Sequence, residues 1–385
     1  MSRCKFCGSM SLHADEMHKN FSGGKAVAGA VVFGVVGAAA GFIGKQQKGY
    51  RCMGITMRQY SEPGCRLAQF PTCCSPQDIE DAKQVAFQLD MPYEVMDFSR
   101  SFRERVIDKF VRVYESGGTP NPCIDCNRTM RFASLLEVAK KHDLDYVVTG
   151  HYARVAYDEA RGRWLLKKAA YEDKDQSYML CMLTQDQLAH IQFPLGGMDK
   201  PRVREIADEL YFVNARKRDS VDICFIPDGD YGAFMERYTG KTYPAGDFLD
   251  QEGNVVGQHR GAVRYTLGQR KGLGLAMGTP VYVSGKDMEK NTVTVGPNES
   301  LFSSSLVAED MNWVAIPELT ASLRIKAKTR YRQKEQWATA IPLEGGRVRV
   351  DFDEPQRAVT PGQAVVLYDG DIVVGGGTIV EAFNP

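Results

Sequence analysis

The sequence predicts an α/β domain built on a parallel sheet, followed by a β-rich tail. Three observations carry this expectation. Strand-like and helical hydrophobic patterns alternate from about residue 49 to residue 225. The helical patterns then stop and glycine-punctuated alternating segments take over. A chain of 385 residues with 43% hydrophobic content also has material for two or three cores of ordinary size.

Taken in order, "RCMGITM" (Arg51 to Met57) reads as a strand. "DIEDAKQVAFQLD" sets Ile79, Ala82, Val85, Ala86 and Leu89 at helical spacing, with Ser75-Pro76 as the start signal, and "YEVMDF" (Tyr93 to Phe98) returns as a strand. This is a β-α-β unit. A second helix is expected over Phe102 to Tyr114, stopped by Gly117-Gly118, and a third over about Phe132 to Lys141. "YVVTGHY" (Tyr146 to Tyr152) is a hydrophobic strand running into a Gly-His loop. Such alternation argues for a parallel sheet covered by helices on both faces, with ligands at the carboxyl ends of its strands. After Phe225, "GAVRYTLGQRKGLGL", "PVYVSGKDMEKNTVTVGP", "GRVRVDFDEP" and "AVVLYDGDIVVGGGTIVEAF" read as strands of a small barrel.

Forty-eight basic residues balance 48 acidic ones, so no global field draws polyanions and any nucleic acid must meet a local basic patch. The ten cysteines lack the dense framework of a small secreted domain, and no cleavable signal peptide is expected, so thiols used for metal or chemistry in the cytoplasm are the better reading. "AVAGAVVFGVVGAAAGFIG" (Ala26 to Gly44) is an uncharged run just long enough to span a bilayer. Its Gly, Ala and Val content equally suits a buried strand, glycine loop and helix opening an α/β domain, which is the favoured reading.

Five stretches can carry chemistry. In "TPNPCIDCN" (Thr119 to Asn127), Cys123 and Cys126 are a zinc half-site, a redox pair, or a loop with one nucleophile. The lack of a second C-x-x-C nearby tells against metal. Asn127 is expected to cap the coming helix, with Arg128 and Arg131 supplying positive charge beside Cys126. Cys224, in "RDSVDICFIPDGDY", would by itself be a buried core cysteine, yet two thiols in separate segments can meet and exchange a persulfide. "TGHYAR" offers Gly150 to a nucleotide, with His151 and Arg154 nearby. "YEDKDQSYML" holds Lys174, Asp175 and Gln176 in what reads as a solvated loop, and "RIKAKTRYRQK" (Arg324 to Lys334) interleaves basic residues with Tyr331, suiting phosphate and base or a plain charged face.

In sequence order, "GYRCMGITM", "CCSPQDIEDAKQVA", "GGTPNPCIDCNRTMRF", "VVTGHYAR", "KDQSYML", "DSVDICFIP", "YTLGQRKGLG", "RYRQ" and "PGQAVVLYDGD" resemble the tRNA-specific 2-thiouridylases from Gly49 to the C-terminus. The resemblance implies an ATP pyrophosphatase-type α/β domain over residues 49–224, a small central domain over 225–285 and a C-terminal, tRNA-binding β-barrel over 286–385. It implies that ATP, with Mg2+, adenylates the C2 oxygen of the wobble uridine of tRNA, and that a cysteine persulfide, loaded by a sulfur-carrier or cysteine desulfurase protein, replaces that oxygen. Carried over by position, Cys126 is the nucleophile and Cys224 the persulfide bearer, the two forming a disulfide during the cycle. Asn121, Pro122 and Cys123 fall where the family's loop touches the target base, Cys123 standing where many relatives hold aspartate. Met57 and Gly150 match nucleotide-binding positions. Lys174, Asp175, Gln176, Arg330 and Tyr331 match tRNA-contacting positions. A cytoplasmic monomer is expected.

The N-terminus departs from the family, whose Ser-Gly-Gly-Val-Asp-Ser-Ser loop holds the pyrophosphate of ATP. Counting back without a gap from Gly49-Tyr50 lands on "FGVVGAAAG" (Phe33 to Gly41), which has the glycines without Ser or Asp, whereas "SGGKAVAG" (Ser22 to Gly29) keeps Ser-Gly-Gly further upstream. Residues 1–48 therefore read as a replaced or fused segment. Its "CKFCGS" with Cys52 resembles part of a zinc ribbon that lacks the usual fourth cysteine, a place that His13 or His18 would have to fill, so zinc at Cys4 and Cys7 is not favoured. The alternative function is a thiouridylase-like tRNA-binding protein that has lost ATP-dependent activity with that loop.

Overall fold

The computed structural model describes residues 26–28, 51–60, 76–217 and 223–385. The expectations for Cys4, Cys7, His13, His18 and the Phe33 to Gly41 stretch lie outside these residues. The chain divides into two compact units: residues 1–105, 124–227 and 371–373 form one, and 106–123, 228–370 and 374–385 form the other.

In the first unit the strands are β1 (Ala26–Ala28), β2 (Gly54–Arg58), β3 (Tyr93–Asp97), β4 (Tyr146–Val148), the hairpin of β5 (Ala153–Asp158) and β6 (Arg163–Lys168), and β7 (Ile191–Gln192). β4 lies between β1 and β7, parallel to both, while β2 and β3 pair in parallel from Gly54↔Tyr93 to Arg58↔Asp97. β1 also approaches β2. The chain thus leaves β1 toward β2 on one side and meets β4 on the other, which is the switch point where open parallel sheets bind ligands. This pairing draws Ala26–Ala28 into the sheet, at the start of the run read as a strand, glycine loop and helix opening the α/β domain. It also puts a strand, Ala26–Ala28, inside "SGGKAVAG".

The three predicted helices are present, the second as consecutive helical runs from Ser99 to Glu115 with a π-type stretch at Arg103–Ile107. α1 (Pro76–Gln88) starts at a proline, whose fixed φ and missing N–H suit a first turn. It buries Val85 and Ala86, with Leu89 and Met91 beyond its end, against Ile206 and Ala207 of α3 (Lys200–Glu209) and against Phe212 and Ala215. Each such side chain contributes about 1.5–3 kcal/mol through burial. α2 (Phe132–Lys141) has the predicted bounds, yet the helical run leading into it already begins at Pro122, with Pro122–Asp125 α-helical and Cys126–Arg131 a π-type segment. Asn127 is therefore no cap: proline starts the helix upstream of it, and its side chain is committed elsewhere. Among the described residues no helix is long and apolar enough to cross a membrane.

The second unit carries the β-rich part. β8 (Gly246–Leu249), β9 (Val255–His259), β10 (Tyr282–Asp287) and β11 (Thr292–Gly296) form a sheet ordered β10-β11-β8-β9 over Phe248, Tyr265, Val283, Val293 and Val295. The expected domain boundary at 285/286 falls inside β10. β12 (Phe302–Trp313), β13 (Leu323–Lys328), β14 (Gln336–Pro342), β15 (Val348–Arg357), β16 (Ala364–Asp369) and β17 (Ile372–Phe383) follow in the order β12-β15-β14-β13-β16-β17, and β17 pairs back onto β12. Closure removes the sheet edges and encloses a core including Leu306, Val350, Leu367 and Ile379.

Candidate active site

Gly150 stands two residues past the end of β4, half-buried, and Met57 is the penultimate residue of β2 with its side chain 2% exposed. Both are at carboxyl ends of parallel strands flanking β1. A ligand at Met57 would meet backbone, since the side chain faces the core.

Behind Gly150 lies a buried polar network. Arg131 Nη1 donates to Asn127 Oδ1 at 3.2 Å and contacts His151 Nε2 at 3.0 Å. A guanidinium only donates, so Nε2 is the acceptor, and the ring proton on Nδ1 is donated to Thr149 Oγ1 at 2.8 Å. Burial, and then the charge of Arg131, hold the His151 pKa well below the ordinary histidine range, keeping it neutral. Asn127 Nδ2 donates to the Met179 carbonyl at 3.0 Å. The helix start and the strand end are thereby tied together. Arg154, expected near this loop, pairs instead with Asp371 at 2.9 Å.

Cys126 is 8% exposed, and Gln59 Nε2 lies 3.5 Å from its sulfur. The next residue, Tyr60, packs edge-on against Phe225, with ring centroids 6.3 Å apart, and Phe225 also meets Phe102 at 5.7 Å. Phe225 and Ile226 are buried while Cys224, in the same turn, is half-buried. Cys224 is therefore not the core cysteine its apolar neighbours suggested: they fill the core and leave the thiol at its margin. Two consecutive residues, Gln59 and Tyr60, thus touch Cys126 and the neighbour of Cys224. Among the described residues no three His, Cys, Asp or Glu side chains are grouped to hold a metal.

In the second unit the segment entering the C-x-x-C is clamped. Thr119 N donates to the Pro361 carbonyl at 2.8 Å, and Gln363 Nε2 donates to the carbonyls of Thr119 at 3.0 Å and Pro120 at 3.1 Å. The approach demands glycine on both sides: a Cβ on Gly118 would lie 2.9 Å from the Pro361 oxygen, and Gly362 has φ +88° with Val113 and Thr119 against it. The clamp leads into Asn121, half-buried, Pro122, buried, and Cys123, exposed.

The residues matched to tRNA contacts differ in their commitments. Asp175 is buried, its carboxylate accepting from Ala169 N, Ser177 N and Ser177 Oγ, and Gln176 Oε1 accepts from Tyr152 N at 2.9 Å, so the loop read as solvated is a cap on the Gly-His strand end. Lys174 closes the preceding turn, half-buried. Arg330 donates to the carbonyls of Ala358 and Leu267 and to Thr360 Oγ1. Tyr331 lies under Lys328 Nζ at 5.8 Å. On the same strand face, Trp337 is 50% exposed with Arg324 at 5.0 Å and Lys326 at 5.2 Å from its ring, and Arg324 also pairs with Asp353 at 2.6 Å. Sequence reasoning missed Gln59, Arg131's network, Gln363 and Trp337. Only Trp337 had a readable signal, as an aromatic on an alternating strand opposite the basic one.

Three domain models match consecutive stretches of the chain: a tRNA methyl transferase HUP domain over residues 25–228, a tRNA methyl transferase PRC-barrel domain over 232–297 and an aminomethyltransferase beta-barrel domain over 303–379. The chain is 46% identical over 369 residues to the tRNA-specific 2-thiouridylase MnmA of Symbiobacterium thermophilum, covering 94% of this chain and 95% of that protein. It is 48% identical over 335 residues to the enzyme of the same name from Acetivibrio thermocellus, covering 86% and 93%. With that from Moorella thermoacetica it shares 48% over 334 residues, covering 87% and 94%.

Proposed function

The chain belongs to the tRNA-specific 2-thiouridylase family, and from that premise we infer that it is a tRNA-uridine 2-sulfurtransferase, an enzyme that thiolates the wobble uridine of tRNA at C2 with ATP and a sulfur donor. The observation that supports the residue assignments is that the consecutive residues Gln59 and Tyr60 touch Cys126 and Phe225, the chain neighbour of Cys224.

In this reading ATP transfers AMP to the C2 oxygen and releases pyrophosphate, turning a poor leaving group into a good one; Mg2+, if bound with the nucleotide, would supply charge neutralisation on its phosphates. Met57 and Gly150 meet the nucleotide at the strand ends, where the buried Arg131 cation favours a polyanion. Cys224 carries the sulfur as a persulfide from a donor protein. That terminal sulfur bonds to C2, AMP departs with the former C2 oxygen, and the Cys126 thiolate attacks the Cys224 sulfur. The two cysteines end as a disulfide, so a two-electron thiol reductant must restore them each cycle. Asn121, Pro122 and Cys123 approach the target base, while Lys174 and Tyr331 face the RNA. Asp175, Gln176 and Arg330 hold the segments that carry those contacts. The working form is a cytoplasmic monomer.

The test is direct. Full-length protein with ATP, a persulfide donor, a thiol reductant and unmodified tRNA should yield 2-thiouridine by nucleoside mass spectrometry. No product from wild type, or equal product without ATP, overturns the reading.

A further inference from the structure

We propose that Gln59 is a positioning residue for the Cys126 sulfur, its side-chain amide fixing that sulfur and favouring its thiolate form. The proposal rests on Cys126 as the nucleophile. Burial disfavours thiolates, and in the same unit it pushes the Cys181 thiol up to about 12. A nucleophilic cysteine that is only 8% exposed therefore needs a donor aimed at sulfur. Gln59 is 3% exposed, follows directly on the last residue of β2, and brings Nε2 to 3.5 Å from Sγ. An amide N–H gains more from an anionic acceptor than from a neutral one, so the contact lowers the free energy of the thiolate relative to the thiol.

Two features set the direction of the amide. β2 is paired along its length with β3, which fixes where Gln59 leaves the sheet. Tyr60 is packed against Phe225, which fixes the residue that follows. Gln59 is thus held from both sides, as a donor that must stay aimed at one atom requires.

The test reads the thiol and not the overall reaction. Iodoacetamide alkylation of the full chain is followed between about pH 6 and pH 10, with Cys126 and Cys224 adducts resolved by peptide mass spectrometry. Gln59→Leu should move the Cys126 profile to higher pH and slow its alkylation at neutral pH roughly three- to tenfold, leaving the Cys224 profile in place. Gln59→Glu, which sets a negative charge beside the sulfur, should move it further the same way and decides the matter if the leucine variant fails to fold. An unchanged Cys126 profile in a folded variant overturns the proposal. Full 2-thiouridine formation by Cys126→Ser would instead sink the nucleophile assignment while leaving this titration to stand.

Discussion

The side-chain amide of Gln363 donates to the carbonyls of Thr119 and Pro120, residues that lie 244 and 243 positions earlier in the chain. Two segments picked out by sequence as separate motifs, "GGTPNP" and "PGQAVV", are therefore one structural feature. The turn before β16 presents the loop that carries Asn121 and Cys123.

Removing that donor should disturb catalysis more than binding. Gln363→Ala leaves two carbonyls without their partner and should lower stability by about 1–3 kcal/mol in chemical denaturation. It should also lower kcat for 2-thiouridine formation roughly tenfold, since small misplacements of a reacting group are expensive. tRNA affinity by filter binding should change less than about twofold. A kcat equal to wild type would refute the link between the clamp and the reaction.

The C-x-x-C should prove asymmetric. Cys126→Ser and Cys224→Ser should each abolish product, and the double variant should be no worse than either, because the two act as a unit. Cys123→Ser, altering an exposed thiol, should retain activity within a few-fold. Equal loss at Cys123 and Cys126 in the same assay would revive the redox-pair reading.

Stability should fall as pH drops below about 6.5. His151 is neutral in the folded protein with a depressed pKa, whereas in the unfolded chain it takes up a proton near its ordinary value. The unfolded state thus binds more protons in this range, and stability declines by up to about 1.4 kcal/mol per pH unit. His259, depressed mainly by burial, adds to the slope. Asp97, held at about 2 chiefly by its hydrogen bonds to Ser99, loses its contribution only below about pH 4. Denaturant melts between about pH 7.5 and pH 5 should show a shallower slope for His151→Gln, and an unaltered slope would contradict the assignment.

Basic residues of the barrel should separate into two kinds. Lys326→Ala and Trp337→Ala should weaken tRNA binding with little effect on melting, the lysine reducing the salt slope by about one. Arg330→Ala should instead lower stability by about 1–3 kcal/mol, because its guanidinium serves Ala358, Thr360 and Leu267. Electrophoretic titrations at several salt concentrations, alongside melts, check both. An Arg330→Ala protein that melts like wild type would refute the division.

Periodicity and punctuation alone determined a good deal: the β-α-β unit through Phe98, the helix Phe132–Lys141, the strand Tyr146–Val148 running into the Gly-His loop and a barrel after the glycine-rich change at Phe225. These are local signals, since apolar spacing repeats every turn or every second residue. The order of the motifs likewise pointed to the chemistry and to Cys126 and Cys224. Only the tertiary structure decided which polar groups were already committed, as Asn127, Asp175 and Arg330 are, and which distant ones meet, as Gln59 does Cys126 across 67 residues. A side chain's character is written in the chain, but a hydrogen bond joins whichever donor and acceptor packing brings together, and packing depends on the whole set of buried faces at once.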